Sequence, residues 1–236
     1  MYLMRTITTK VICLGLLVSG IGLPHVFAAE DKPAASTSKP QPSVAKPLKW
    51  GDFGQERASL EARNMAAWVS EAGDNQNMPF VIIDKTDAKV FVFHPDGRLH
   101  GAAPALLGLA LGDVSVPGIG NRKLASIRPE ERTTPAGRFL ASLGRNAGGK
   151  EILWVDYEGA LSLHPVVTSN PKEQRAQRLA TATPLDNRIS YGCINVPAPF
   201  FKNVVSKTFK TTNGIVYILP ETRSTSIQAS SGLADH

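Results

Sequence analysis

Short apolar runs, broken every few residues by turn formers, set the limits on what this chain can fold into. Phe80 to Asp84 and Lys89 to His94 are strand-like and joined by a polar turn. Pro95-Asp96-Gly97 makes a second turn leading to Leu99, which gives a β-meander. The pattern returns further on: Arg138 to Leu143, Ile152 to Asp156 and Ala160 to His164 read as strands, with a turn at Gly148-Gly149. Gly214 precedes a last strand, Ile215 to Leu219. Helical spacing is confined to three stretches. Gln55 to Glu71 has Leu60, Met65, Trp68 and Val69 among its apolar positions. Asn170-Pro171-Lys172-Glu173 supplies a cap, a first-turn proline and a reciprocal glutamate for a helix to Ala180. Pro197 and Pro199 open a third, carrying Phe200, Phe201, Val204 and Val205. With 20 glycines and 17 prolines in 236 residues, strands and turns are favoured over a helical bundle. The expectation is a mainly β, sandwich-like domain with sheet packed on sheet and short helices.

The first 28 residues read as a secretory signal peptide: Arg5 and Lys10, an apolar run from Val11 to Leu23, and Val26-Phe27-Ala28 as the exit. A run of about 13 residues is short of the ~20 that span a bilayer, so no membrane span is expected once the leader is cleaved. An exported protein, in the periplasm of a bacterium, follows from this. Residues 29–53 are rich in Pro, Ala, Ser and Lys and read as a linker. Residues 54–73 carry the N-terminal helix, 79–220 one domain with a core of its own, and 221–236 a polar, disordered tail. Removing Arg5 and Lys10 with the leader takes the formal charge from +6 to +4, compatible with an anionic wall surface.

The chemistry gathers in Ser190-Tyr191-Gly192-Cys193-Ile194-Asn195. Cys193 is one of two cysteines; Cys13 lies in the leader, so the mature chain has one thiol and no internal disulfide. Gly192 lets the backbone turn tightly and brings main-chain N–H groups toward whatever the sulfur attacks. Leu161-Ser162-Leu163-His164 alternates apolar and polar, which puts His164 on the polar face with Ser162. A thiol and a strand-borne histidine are the material of a thiolate nucleophile and its base. The alternative is a buried cysteine acting as a small hydrophobe, with a histidine satisfied by a backbone carbonyl.

Three pieces in order, Thr134-Pro135-Ala136-Gly137, His164 and Ser190 to Asn195, resemble the L,D-transpeptidases of the YkuD family. That family is marked by Thr-Pro-x-Gly and by a histidine followed by Ser/Thr-His-Gly-Cys-apolar-Asn. Two features depart from it: Tyr191 stands where the family usually has histidine, and the 25 residues between His164 and Ser190 exceed the family's spacing. The resemblance implies a β domain and a cysteine enzyme acting on peptidoglycan tetrapeptide stems, with no metal or organic cofactor. It implies an acyl-enzyme on Cys193, formed with loss of the terminal D-alanine and transferred to an amine of another stem as a 3→3 cross-link. His164 would be the base, and Gly192, Ser190, Tyr191 and Asn195 would serve the oxyanion or the substrate. Thr-Pro-x-Gly would be a structural corner near the groove.

The inserted segment from Asn170 to Arg188 is tied at both ends to the site and is expected to form a wall or lid. Its Arg175, Arg178 and Arg188 could pair with stem carboxylates, though a solvated charged face is the more frequent use of such a pattern. Two other readings stay open: a periplasmic thiol hydrolase or carboxypeptidase of the wall, and a non-catalytic wall-binding protein disabled by Tyr191. His94, His100, Asp84 and Asp87 lack the companions of a metal site, and the glycines between Gly112 and Arg132 lack the spacing of a phosphate loop. No basic stripe with interleaved aromatics suggests nucleic acid. Oligomeric state is not legible.

Overall fold

The computed structural model describes residues 52–222. The leader, most of the 29–53 linker and the tail beyond Thr222 lie outside the described residues. The described ends of the expected linker and tail nonetheless meet the domain. Asp52 O accepts the Leu99 N–H at 2.9 Å, and Phe53 is 2% exposed, meeting Phe91 and Phe93 edge to face at 5.1 Å each. Phe53 is therefore part of the core, and Asp52, though exposed, is tied to Leu99, so neither is the end of a linker. Glu221 and Thr222, expected to begin a disordered tail, donate their N–H groups to the Asp113 carboxylate at 2.9 and 3.0 Å.

Helix α1 spans Leu60–Ala72, starting where Ser59 accepts the Ala62 N–H and stopping at Gly73 in the left-handed region. It buries Ala62, Ala66 and Val69, one stripe at helical spacing. Leu60 and Trp68, expected among the apolar positions, are 65% and 48% exposed. The reason is the partner surface: the sheet beneath offers Phe80, Phe91, Phe93 and Tyr217, and alanines let the helix approach side chains that already fill the space.

The strands follow as β1 (Phe80–Asp84), β2 (Lys89–Phe93), β3 (Leu99–Pro104), β4 (Leu107–Gly108), β5 (Gly137–Arg145), β6 (Glu151–Asp156) and β7 (Leu161–Pro165). After them come helix α2 (Arg175–Ala180), then β8 (Arg188–Ser190), β9 (Ile194–Val196) and β10 (Gly214–Ile218). Eight form one sheet in the order β3-β2-β1-β10-β5-β6-β7-β9, and β4 pairs with β8. Strand β5 makes the architecture. Its first half, to Ala141, pairs with β10, and its second half, from Ser142, pairs with β6. The sheet thereby turns on itself, and one core holds Val81, Ile83 and Val216 from one half with Leu153, Leu163 and Ile194 from the other. The expected sheet-on-sheet packing is realised within a single sheet.

β1 is buried along its whole length, so it reads as a continuous apolar run. Val81 and Ile83 enter the core between the sheet halves, while Phe80 and Ile82 face the α1 side. The chain from Pro197 onward is helical in three pieces, Ala198–Phe200, a π-helical turn Phe201–Val205, and Ser206–Phe209. The single helix expected from Asn170 to Ala180 is broken at Gln174, which has a φ of 49°. Asn170 does cap its first turn, through Lys172 N, but Glu173 does not reach back; it pairs with Arg175 Nε at 2.5 Å. No described helix is long and apolar enough to cross a membrane.

Candidate active site

Strands β7 and β9 run parallel, with Leu163 opposite Ile194 and His164 opposite Asn195. Side chains alternate along each strand, so Ser162 and His164 share one face with Cys193 and Asn195. This register brings together two residues 29 positions apart in the chain. The Ser162 hydroxyl lies 3.6 Å from Cys193 Sγ, and the sulfur is 3.5 Å from the Ala160 carbonyl. His164 Nδ1 is 2.8 Å from the Pro165 carbonyl and must donate to it, which leaves Nε2 as the proton-accepting atom.

The two groups perturb each other. Burial works against a Cys193 thiolate, but the facing His164 imidazole and the Ser162 hydroxyl and N–H outweigh it, and the thiol sits below its ordinary value. Burial likewise opposes protonation of His164, and Cys193 and the Pro165 carbonyl outweigh that, so its pKa lies above the usual histidine value. The arrangement favours a thiolate beside an imidazolium.

The turn before the sulfur is fixed by a set of short bonds. Ser190 Oγ accepts the Gly192 N–H at 3.0 Å and donates to the Cys193 carbonyl at 2.7 Å. Asn195 Nδ2 donates to that same carbonyl at 3.1 Å. Gly192 has a φ of 130°, and a Cβ there would stand 2.7 Å from the Thr133 carbonyl, so only glycine fits. Thr134, fully buried, donates its hydroxyl to the Gly192 carbonyl at 2.7 Å and accepts the Gly108 N–H at 2.9 Å.

These contacts revise several expectations. Ser190 and Asn195 are 2% and 0% exposed and brace the turn from within; neither faces a substrate. The Gly192 N–H is occupied by Ser190, whereas the Cys193 N–H donates no hydrogen bond among the described residues. Tyr191 lines the cavity at the sulfur, its ring under the Arg132 guanidinium at 4.0 Å.

The three arginines are engaged inside the protein. Arg175 Nη1 donates to Asn195 Oδ1 at 2.8 Å while its Nε holds Glu173, and its charge acts against protonation of His164. Arg178 donates to the carbonyls of Glu173 and Asp186 at 2.8 and 2.6 Å. Arg188 donates to the Lys85 carbonyl at 2.9 Å and pairs with the Glu221 carboxylate. None is free to bind a stem carboxylate, because each satisfies backbone or acidic groups of the inserted segment and its neighbours.

The segment from Asn170 to Arg188 is also not the wall at the sulfur. Cys193 opens into a cavity of about 280 Å³ bounded by Ser115 to Ile127, the Thr133–Pro135 corner and the Asp156–Leu161 turn. His164 faces a separate cavity of about 390 Å³, walled by Ile152 and Pro165 to Ser169. Ser162 is the site residue that sequence reasoning left without a role, and Thr134 was expected only as part of a structural corner near the groove. Ser162 carried a signal, its shared polar face with His164; the long-range partner of Thr134 carried none. Among the described residues no group of three or more His, Cys, Asp or Glu is placed to hold a metal ion.

No protein family's sequence profile matches this chain, and no curated protein sequence matches it. Similar solved structures include an L,D-transpeptidase in complex with imipenem, 15% identical, covering 60% of this chain and 58% of that one at a TM-score of 0.36. L,D-transpeptidase 3 from Mycobacterium tuberculosis is 14% identical, covering 60% of each chain at a TM-score of 0.38. The catalytic domain of the E. faecium L,D-transpeptidase is 16% identical, covering 61% of this chain and 98% of that one at 0.33. This chain thus spans about three-fifths of the length of the first two, and overlaps of this depth leave the chemistry to be argued from the residues.

Proposed function

We propose that this protein is an exported cysteine acyltransferase of the L,D-transpeptidase type, acting on peptidoglycan tetrapeptide stems. The observation that carries the reading is the pair on neighbouring parallel strands: a half-buried thiol held low in pKa by an imidazole held high, at the mouth of a cavity. A structural cysteine needs neither partner nor cavity. The substrate class rests on the order of Thr134-Pro135-Ala136-Gly137, His164 and Ser190 to Asn195.

In the proposed reaction the Cys193 thiolate attacks the carbonyl of the third stem residue, and the oxyanion that forms accepts the Cys193 N–H. The C–N bond to the terminal D-alanine breaks, and His164 gives its Nε2 proton to the departing amine. A thioester remains on Cys193. An amine of a second stem then attacks it, losing a proton to His164, and the thiolate departs to restore the starting pair. Separate cavities at Cys193 and at His164 support separate approaches for the two stems. Water in place of the second amine gives the hydrolase or carboxypeptidase outcome from the same intermediate.

The disabled-site reading is not favoured by the position of Tyr191. Its ring is held by Arg132 while His164 already supplies an imidazole to the sulfur. Incubation with purified tetrapeptide muropeptides and mass analysis of the products tests the proposal. Dimers that lack one D-alanine are expected, with none from Cys193→Ala. Full turnover by that variant would overturn the assignment.

A further inference from the structure

Beside the cavity at Cys193 lies a larger one of about 980 Å³, which the reaction as proposed does not use. The two are contiguous: Ser115, Ile119 and Gly120 on one side and Asp156, Gly159 and Ala160 on the other line both. Gly120 forms the seam, since a Cβ there would come within 2.1 Å of the Glu158 carbonyl. The larger space therefore lies directly beside the cavity at the sulfur, across a wall made by these two segments.

Its wall is aromatic on one side and polar on the other. Trp154 and Tyr157 meet edge to face, 5.0 Å between ring centres. Tyr157 is 77% exposed and so contributes little to any core, and the partly buried Trp154 indole is seated over Gly144, where a Cβ would come within 2.8 Å of it. Neither the indole N–H nor the phenol hydroxyl makes a hydrogen bond among the described residues. Asn146 Oδ1 is taken by the Gly148 and Lys150 N–H groups at 3.0 Å each, which leaves its amide N–H donors free. Asp156 Oδ1 accepts the Glu158 N–H at 3.1 Å, which leaves Oδ2.

Flat apolar rings beside amide donors and carboxylate acceptors match a pyranose, which has an apolar C–H face and an edge of hydroxyl groups. Of the charged side chains lining the cavity, Asp156 and Glu158 are acidic and Arg145, which donates to the Gly149 carbonyl at 2.7 Å, is basic, and this balance disfavours an anionic ligand such as a phosphate or the carboxylate-bearing stem itself. The volume lies in the range of small-molecule sites, about 300–1,000 Å³. We propose that this cavity is a saccharide subsite that takes the sugar carrying the stem peptide, with Trp154 and Tyr157 as its platform. It rests on the reading of Cys193 as the residue acylated by the stem. The enzyme would then select stems still attached to their glycan.

The test separates the two readings. Wild-type protein and Tyr157→Ala are titrated with the peptide-free wall disaccharide, followed by tryptophan fluorescence and by chemical shifts of the Trp154 indole. Turnover is measured on free tetrapeptide and on disaccharide-linked tetrapeptide, and acylation of Cys193 by a carbapenem reports the integrity of the site. Disaccharide binding should weaken on the order of tenfold in Tyr157→Ala. KM should rise similarly for the linked substrate alone, with the acylation rate unchanged. Wild-type protein that does not bind the disaccharide, or equal losses on both substrates, would overturn the subsite and leave the thiol chemistry standing. Disaccharide binding by a protein whose Cys193 is never acylated would keep the subsite and remove the function. Trp154→Phe, which keeps a ring over Gly144, should bind the disaccharide more weakly than wild type; wild-type binding by both Trp154→Phe and Tyr157→Ala would contradict the platform.

Discussion

Thr134 donates its hydroxyl to the carbonyl of Gly192 at 2.7 Å, tying a corner 58 residues upstream to the residue before Cys193. The same oxygen accepts the Gly108 N–H, so one buried hydroxyl serves two backbone groups. Thr134→Val keeps the shape and leaves both groups without a partner. It should cost about 1–3 kcal/mol in urea unfolding and slow Cys193 acylation, because the turn that aims the sulfur loses its brace. Thr134→Ser should restore most of both. Equal acylation rates in all three proteins would remove Thr134 from the positioning of the nucleophile.

The reciprocal shifts of Cys193 and His164 predict a pH profile. Since the thiol pKa is lowered, alkylation of Cys193 by iodoacetamide should rise at a pH below that of an ordinary cysteine. His164→Ala removes the facing cation, and the midpoint should move upward. Turnover needs the thiolate together with the imidazolium. It should therefore rise as Cys193 deprotonates and fall as His164, whose pKa is raised, gives up its proton at higher pH. A profile with the midpoint of a free thiol, unmoved by His164→Ala, would break the link between the two residues.

Arg188 reads as a structural residue. It is 14% exposed at the side chain and joins the Lys85 carbonyl to the Glu221 carboxylate, which lies 3.4 Å from the buried Lys85 Nζ. Arg188→Ala should lower stability by about 2 kcal/mol and leave KM for a tetrapeptide stem unchanged. Unaltered unfolding with a raised KM would return this arginine to the substrate.

Phe53 closes the N-terminal side of the domain against Phe91 and Phe93. Phe53→Ala should cost about 3 kcal/mol through the cavity it leaves. Carbapenem acylation of Cys193 should persist, since the cluster lies on the α1 face of the sheet and the thiol does not. A melting temperature equal to wild type would show that this residue adds nothing to the core.

Much of the domain was legible from local pattern. Alternation and turn residues located β1, β2 and β5 to β7 within a few positions, and the face shared by Ser162 and His164 followed from the two-residue period of a strand. The lone thiol and its glycine pointed to Cys193, which we propose as the nucleophile. β8 and β9, three residues each, are too short to carry a period, yet β9 pairing with β7 sets the geometry of the site. The arginines of the inserted segment and the polar residues flanking Cys193 looked like substrate ligands because a sequence records a side chain's chemistry and not its partner. Burial decided otherwise. Arg175 meets Asn195 and Ser190 meets the Cys193 carbonyl, because a polar group removed from water must be satisfied by whatever the fold sets beside it. The sequence by itself determined the chemistry available and the strands that carry it. The bend of β5 and the parallel register of β7 with β9 were decided only in three dimensions, since both depend on contacts between segments far apart in the chain.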